Sequence, residues 1–214
     1  MRITKYGHAC LFVEEEEARI LIDPGNWNAF PDAQDIHVVL ITHEHQDHLD
    51  VTQLKEVLAK NPNAVVITHE DAGKVLLAAG IPYLPIVEGG RADIKGVCIQ
   101  SIGSAHAIIY GDTSPCRNTG FLINARLYVP GDALHDVPAS SVDVLALPTG
   151  APWMKLPEAI DYAKALKPKV AFPIHDAMYT EEYRRGLVPK LVGSNLAEAG
   201  IDFRDLSDGD TLEC

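Results

Sequence analysis

Val38-Val39-Leu40-Ile41-Thr42-His43-Glu44-His45-Gln46-Asp47-His48 is the stretch on which the fold turns. Its first four residues form a short, unbroken aliphatic run, as expected of a strand buried on both faces between helical layers. Where the run stops, three imidazoles and the Asp47 carboxylate fall within six positions, His43 to His48, in the pattern HxHxDH. In a backbone that stays extended, alternate side chains share a side, which predicts His43, His45 and Asp47 together and His48 addressing a neighbouring point. Four ligands of this hardness aimed at two adjacent points suit two borderline divalent cations such as zinc. Hydrolysis is therefore the leading chemistry.

Working outward, strand-like segments at 2–5, 9–14 and 19–23 precede the run, the last two flanking the solvated tip Glu15-Glu16-Glu17. Asp23-Pro24-Gly25 ends this section and opens a loop holding Trp27 and Phe30. Beyond the histidine motif, the spacing predicts a helix over 52–60 with Leu54, Val57 and Leu58 on one face, stopped at Asn61-Pro62-Asn63. A strand at 65–67 and a helix at 72–79 follow, closed by Gly80. The pattern then repeats: short strands around 94–102, 120–124, 127–129 and 142–147, a helix at 157–166, a strand at 170–174, a helix at 181–198 and a strand at 201–203. Strands alternating with helices imply parallel pairing. The doubled order predicts an α/β (α+β) chain of two similar halves, a four-layer αβ/βα sandwich, with residues 1–214 as a single domain.

The totals narrow the function. A net charge of −12, a pI near 5.1 and scattered basic residues make a nucleic-acid polymer an unlikely partner and leave a small-molecule substrate. Cys10, Cys98, Cys116 and Cys214 stand far apart without a CxxC, which points to reduced thiols and a cytoplasmic location. The N-terminus lacks the long apolar core of a signal peptide, and no stretch approaches a membrane span. Composition leaves assembly into a homo-oligomer open.

Further ligands are sought at other strand ends, where α/β sites form. His106, Asp132 and His175 each follow a strand or apolar segment. With Asp132 and a hydroxide both bridging, His43, His45 and His106 complete one five-coordinate ion, and Asp47, His48 and His175 the other. His69 competes with His106, because Ile67-Thr68-His69-Glu70 echoes Ile41-Thr42-His43-Glu44. His135 reads as a polar residue of the loop after Asp132. His8 is either a packed strand-end residue or a substrate-facing one. Asp23 reads either as the polar end of a strand or as a residue orienting a metal-bound histidine. Trp27, Asn118 and Trp153 sit on loops that could line a substrate cleft. GxSxG, GxGxxG and the Gly-rich phosphate loop are absent.

HxHxDH followed by a later His, a Gly-Asp and a final His resembles the metallo-β-lactamase superfamily. Tyr6-Gly7-His8-Ala9, Leu21-Ile22-Asp23-Pro24, Leu147-Pro148-Thr149-Gly150 and the run from Pro157-Glu158-Ala159-Ile160 to His175 resemble its UlaG-like branch of metal-dependent hydrolases. The resemblance implies the same division of seven ligands and prefers His106 to His69. It implies a pair of divalent ions, zinc first and manganese second. It also implies cleavage of a small ester-type substrate, a lactone or phosphodiester. Two ions would supply a metal-bridging hydroxide as nucleophile, with Asp47 as a ligand that orients the nucleophile or shuttles its proton. The usual Gly-Asp-Thr is Gly131-Asp132-Ala133 here, which leaves the ligand intact. Two rivals remain at this point: a single-iron sulfur dioxygenase-type oxidoreductase, and a non-catalytic ligand-binding module of the same fold.

Overall fold

The structure, a computed structural model, describes residues 1–28 and 34–214; Phe30 lies outside the described residues. The chain opens as an antiparallel meander of β1 (Arg2–Lys5), β2 (Leu11–Glu15) and β3 (Ala18–Ile22). It continues through β4 (Val38–Leu40), α1 (Val51–Lys60), β5 (Val65–Thr68), α2 (Glu70–Ala78) and the two-residue β6 (Leu84–Pro85), whose strands pair in parallel. The second half repeats the plan. An antiparallel set of β7 (Arg91–Ile94), β8 (Val97–Ile102), β9 (Gly120–Ile123) and β10 (Leu127–Val129) comes first. Then β11 (Val144–Pro148), α3 (Leu156–Leu166), β12 (Val170–Ile174), a helical run ending in α4 (Ser194–Glu198), and β13 (Asp202–Phe203) extend it in parallel. The terminal β14 (Thr211–Glu213) returns to pair with β1.

Two seven-stranded sheets result, ordered β14-β1-β2-β3-β4-β5-β6 and β13-β12-β11-β10-β9-β8-β7. In each, three antiparallel pairings give way to three parallel ones, because a parallel neighbour needs a crossover and the helices begin only midway through each half. The inner faces share one core: Ile3, Val13, Ile20 and Leu40 from the first sheet meet Ile99, Phe121, Val129 and Phe172 from the second. Outside them, Leu54, Val57 and Leu76 pack α1 and α2 against Leu21, Val39 and Ile41. On the opposite side Tyr162, Ala163 and Leu196 pack α3 and α4 against Leu145 and Leu147. The layers run helix, sheet, sheet, helix.

Departures from the expected elements have local causes. The last helix is wound wider at Glu182–Leu187 and Pro189–Gly193, where Pro189 withholds an N–H and Gly186 and Gly193 are poor helix formers. β6 and β14 escape a pattern reading because two or three residues carry no periodicity. No helix among the described residues is long and apolar enough to cross a membrane.

Candidate metal centre

One edge of the sandwich collects the strand ends: Asp23 after β3, Thr42 and His43 after β4, Asp132 after β10, Gly150 after β11 and His175 after β12. Three of the residues brought there, His8, Asp23 and His175, have positive φ of 41°, 47° and 57°. Such conformations cost of order 1–3 kcal/mol each for non-glycine residues and persist only where surrounding bonds over-determine them. Here those bonds exist. Asp23 Oδ1 accepts the Thr42 N–H at 2.8 Å, and its Oδ2 accepts both Thr42 Oγ1 at 2.7 Å and His48 Nδ1 at 2.8 Å. The His175 N–H donates to the His8 carbonyl at 2.9 Å.

The same network fixes how each imidazole presents itself. Thr42 has one hydroxyl proton and gives it to Asp23, so Oγ1 accepts from His43 Nδ1 at 3.0 Å. His106 Nδ1 donates to the Ala107 carbonyl at 2.6 Å and His175 Nδ1 to the Gly150 carbonyl at 2.8 Å. With Nδ1 engaged on all four, His43, His48, His106 and His175 turn Nε2 inward. His45 comes in by its other nitrogen, Nδ1 lying 3.0 Å from His43 Nε2.

Two ligand groups form, His43, His45, His106 and Asp132 in one, and His8, Asp47, His48 and His175 in the other. Asp132 touches both: Oδ1 lies 3.1 Å from Nε2 of His48 and of His175, while Oδ2 lies 3.2 Å from His106 Nε2. The backbone between the motif histidines is not extended as expected. His48 and Leu49 N–H both return to the His45 carbonyl, at 2.9 and 2.8 Å, and this turn swings Asp47 away from His43 and His45 to the side of His48.

The residues fit a metal pair on two grounds. His48 Nε2, His106 Nε2, His175 Nε2 and Asp132 Oδ1 are buried, aimed at one another and without a hydrogen-bond partner, a costly arrangement that a coordinated cation removes. The donor set of imidazoles and carboxylates also suits borderline divalent ions. Electrostatics agree with a cation-seeking site. Burial pushes both carboxyls up, yet hydrogen bonds and nearby imidazoles outweigh it and hold Asp47 below, and Asp132 well below, the ordinary carboxylate range. Burial, with the neighbouring His48, keeps His43 well below its ordinary value and therefore neutral. At His48 and His175 burial also pushes downward, but Asp132 prevails, joined by Asp23 at His48, and both pKa values rise. A metal must displace those protons.

The structure decides between readings left open for several residues. His8 is fully buried, its Nδ1 accepting the Ala177 N–H at 3.3 Å and its Nε2 lying 3.2 Å from Asp47 Oδ2. With Nδ1 used as acceptor, Nε2 carries the proton, so His8 donates to Asp47 and its ring has no lone pair left for a metal. Burial lowers its pKa to about 4 and keeps it neutral. Asn118 does not face a cleft: it is fully buried, with Nδ2 on the Pro130 carbonyl at 2.9 Å and Oδ1 on the Asp132 N–H at 3.0 Å. Both ends of its amide are spent holding the Gly131-Asp132 turn. Trp27 is exposed, edge-on to His8 with ring centroids 4.9 Å apart.

His69 ends a strand parallel to β4 as anticipated, but its Nδ1 caps α2, accepting from Asp71 and Ala72 N–H at 3.2 and 3.4 Å. It joins neither ligand group. Trp153 contributes more than a cleft wall, since its indole N–H donates to Asp132 Oδ2 at 2.8 Å. Thr42 and the Gly150 carbonyl were not singled out from the sequence. The signal for Thr42, a hydroxyl between a buried strand and the first motif histidine, is present but weak.

Gly25 supports the motif from below. A Cβ there would lie 1.8 Å from the Asp47 carbonyl oxygen and 2.6 Å from His48 N, backbone atoms that cannot rotate away. Gly25→Ala is expected to lower stability by about 1–3 kcal/mol and metal affinity by roughly 10- to 100-fold, read by thermal melting and competitive chelator titration. Unchanged affinity would show that the loop moves freely of its support.

Comparison with known proteins agrees with this architecture. Residues 2–175 match the family described as the beta-lactamase superfamily domain. Protein Rv0786c of Mycobacterium tuberculosis is 37% identical over 190 residues, covering 86% of this chain and 88% of its own. A protein of Carboxydothermus hydrogenoformans named UPF0173 metal-dependent hydrolase is 30% identical over 196 residues, covering 82% and 84%. Among solved structures, Igni18, a metallo hydrolase from Ignicoccus hospitalis, superposes with a TM-score of 0.77 at 21% identity, covering 99% of this chain and 97% of that one. At that identity the likeness concerns the fold.

Proposed function

The chain belongs to the beta-lactamase superfamily, and from that premise we propose that it is a metal-dependent hydrolase acting on a small ester-type substrate, a lactone or a phosphodiester. Zinc is the first expectation for the metal pair and manganese the second. Placement in the UlaG-like branch is part of the same proposal and rests on the sequence phrases around His8, Asp23, Pro148 and His175. The observation that carries the reading is Asp132, whose two oxygens face the two ligand groups separately.

His43, His45 and His106 would hold one ion, Asp47, His48 and His175 the other, with Asp132 between them. Bound there, divalent ions supply a water ionised near neutral pH and positive charge for a developing oxyanion. The chain's own residues do the rest. The Asp23–Thr42 pair fixes the imidazoles of His43 and His48, and Trp153 and Asn118 hold Asp132 in place. Asp47, partly exposed, turns Oδ2 toward the second ligand group, 3.6 Å from His175 Nε2, where His8 holds it at 3.2 Å and the carboxylate would ligate or take a proton. The four cysteines are free, which supports the cytoplasmic expectation.

The test is metal content with activity. Protein loaded with zinc or manganese should carry two ions per chain, hydrolyse members of a panel of lactones, aryl esters and bis-aryl phosphates, and lose activity on chelation. One iron per chain with oxygen consumption would favour the oxidative rival. Two ions with no turnover across the panel would favour the non-catalytic module.

A further inference from the structure

A groove of about 480 Å³ lies against the candidate centre, lined by Ala107, Leu134, Val137, Trp153, Tyr162 and Ala165, with His135, Glu158 and Asp161 at its rim. Two of its lining residues touch the centre. Ala107 follows His106 directly, and its N–H donates to the Asp132 carbonyl at 2.8 Å. Trp153 binds Asp132 through its indole N–H and stands edge-on to both His106 and His175, at centroid distances of 6.1 and 6.0 Å. One side of the indole therefore faces the ligands while the ring also forms part of the groove wall. Apolar exposure continues past Ala107 through Ile108, Ile109 and the almost fully exposed Tyr110, and Val137 is exposed as well. Solvent-facing aliphatics in a chain carrying net −12 need a reason, and apolar surface beside polar convergent groups is the usual form of a binding site.

We infer that this groove holds an uncharged hydrocarbon arm of the substrate, so that the reacting bond lies on the ligand side of Trp153. The inference rests on the hydrolase reading and names its substrate class. The aliphatic wall offers no cationic side chain of lysine or arginine to a carboxylate or phosphate, and Glu158 and Asp161 repel either at the rim. The volume falls within the range that encloses small organic ligands. Among ester-type substrates, the groove therefore selects neutral esters or lactones with a linear or aromatic apolar substituent over doubly charged or anionically tailed ones.

Two measurements on the metal-loaded full chain test this. In a series of p-nitrophenyl esters from acetyl to octanoyl, kcat/KM should rise with each methylene, by at most about fourfold per group, and level off when the groove is filled. The monoester bearing a terminal carboxylate should fall below its neutral counterpart. Ala165→Trp, which fills the groove, should flatten the series. Independently of turnover, the neutral fluorophore N-phenyl-1-naphthylamine should bind with enhanced, blue-shifted emission, be displaced by octanoyl ester, and lose binding in Ala165→Trp. A flat series in the native chain, or fluorophore binding indifferent to Ala165→Trp, overturns the groove while leaving hydrolysis intact. Fluorophore binding that Ala165→Trp abolishes, in a metal-loaded chain that turns over no ester, lactone or phosphodiester, keeps the groove as an apolar site and removes the hydrolase.

Discussion

Asp132→Asn is expected to remove turnover by a factor on the order of 10³ or more and to reduce bound metal from two ions to fewer than one per chain. The reason is the position of the carboxylate. Its Oδ1 faces His48 and His175, and its Oδ2 faces His106 and the Trp153 indole. Asparagine keeps the volume but offers a donor where one oxygen stood, so it turns an N–H toward lone pairs on one side or repels Trp153 on the other. The charge that balances the centre also disappears. Elemental analysis together with kcat/KM on the best ester reads both effects. Two ions retained with near-native turnover would remove Asp132 from the bridging position.

The same variant carries a pH signature in metal-free, chelator-treated protein. Asp132 raises the pKa of His48 and His175 above the unfolded value, so their protonation stabilises the fold below the ordinary imidazole pKa, near 6.5, and that stabilisation is lost as pH rises through the raised values. Asp132 itself, held well below the carboxylate range, contributes fully above about pH 4. The native chain should therefore exceed Asp132→Asn in melting temperature most at pH 5–6, with the gap narrowing toward pH 9. Loading zinc at neutral pH should release protons from the native chain and fewer from the variant, which calorimetry in buffers of differing ionisation enthalpy counts. A gap that widens with pH would mean that the imidazoles do not take their charge from Asp132.

How much of this was legible beforehand differs by residue. The buried run Val38–Leu40 and the repeated strand–helix order carry the sandwich, because burial on both faces and 3.6-residue spacing are written in composition. The gathering of Asp132 and His175 beside the HxHxDH motif was also legible from strand ends that share an edge, whereas strand ends alone left His69 in competition with His106 and only the family resemblance preferred His106. What spacing could not give was the turn at His45, which depends on two backbone bonds and sends Asp47 to the other group. Nor could it give the tautomers, set by carbonyls of Ala107 and Gly150 that any residue would supply. Asn118 misled because a polar loop residue reads as exposed, whereas its amide closes the Asp132 turn from within. The support of Gly25 beneath the motif, the cap made by His69 and the grip of Trp153 on Asp132 are likewise contacts between segments distant in sequence.

Asp47→Ala is expected to leave the fold intact and cut kcat by roughly 10²- to 10³-fold, in the range of a lost general acid–base. The carboxylate is a fifth exposed, and its one hydrogen bond is to His8, so truncation opens no apolar cavity. His8 supplies the discriminating control. Its ring is pinned by the Ala177 N–H on one nitrogen and gives its proton to Asp47 on the other, which makes it a positioning residue acting through Asp47. His8→Ala alone should cost about 10- to 100-fold, the scale of a lost supporting partner, with about 1–3 kcal/mol of stability because the Ala177 N–H loses its acceptor. In the Asp47→Ala background the same change should cost stability again but almost nothing further in kcat, since the group it orients is already gone. Fully multiplicative losses would give His8 an effect on turnover separate from Asp47. Native kcat in Asp47→Ala, with two ions bound, would strip Asp47 of both ligation and proton transfer and leave the centre to its histidines and Asp132.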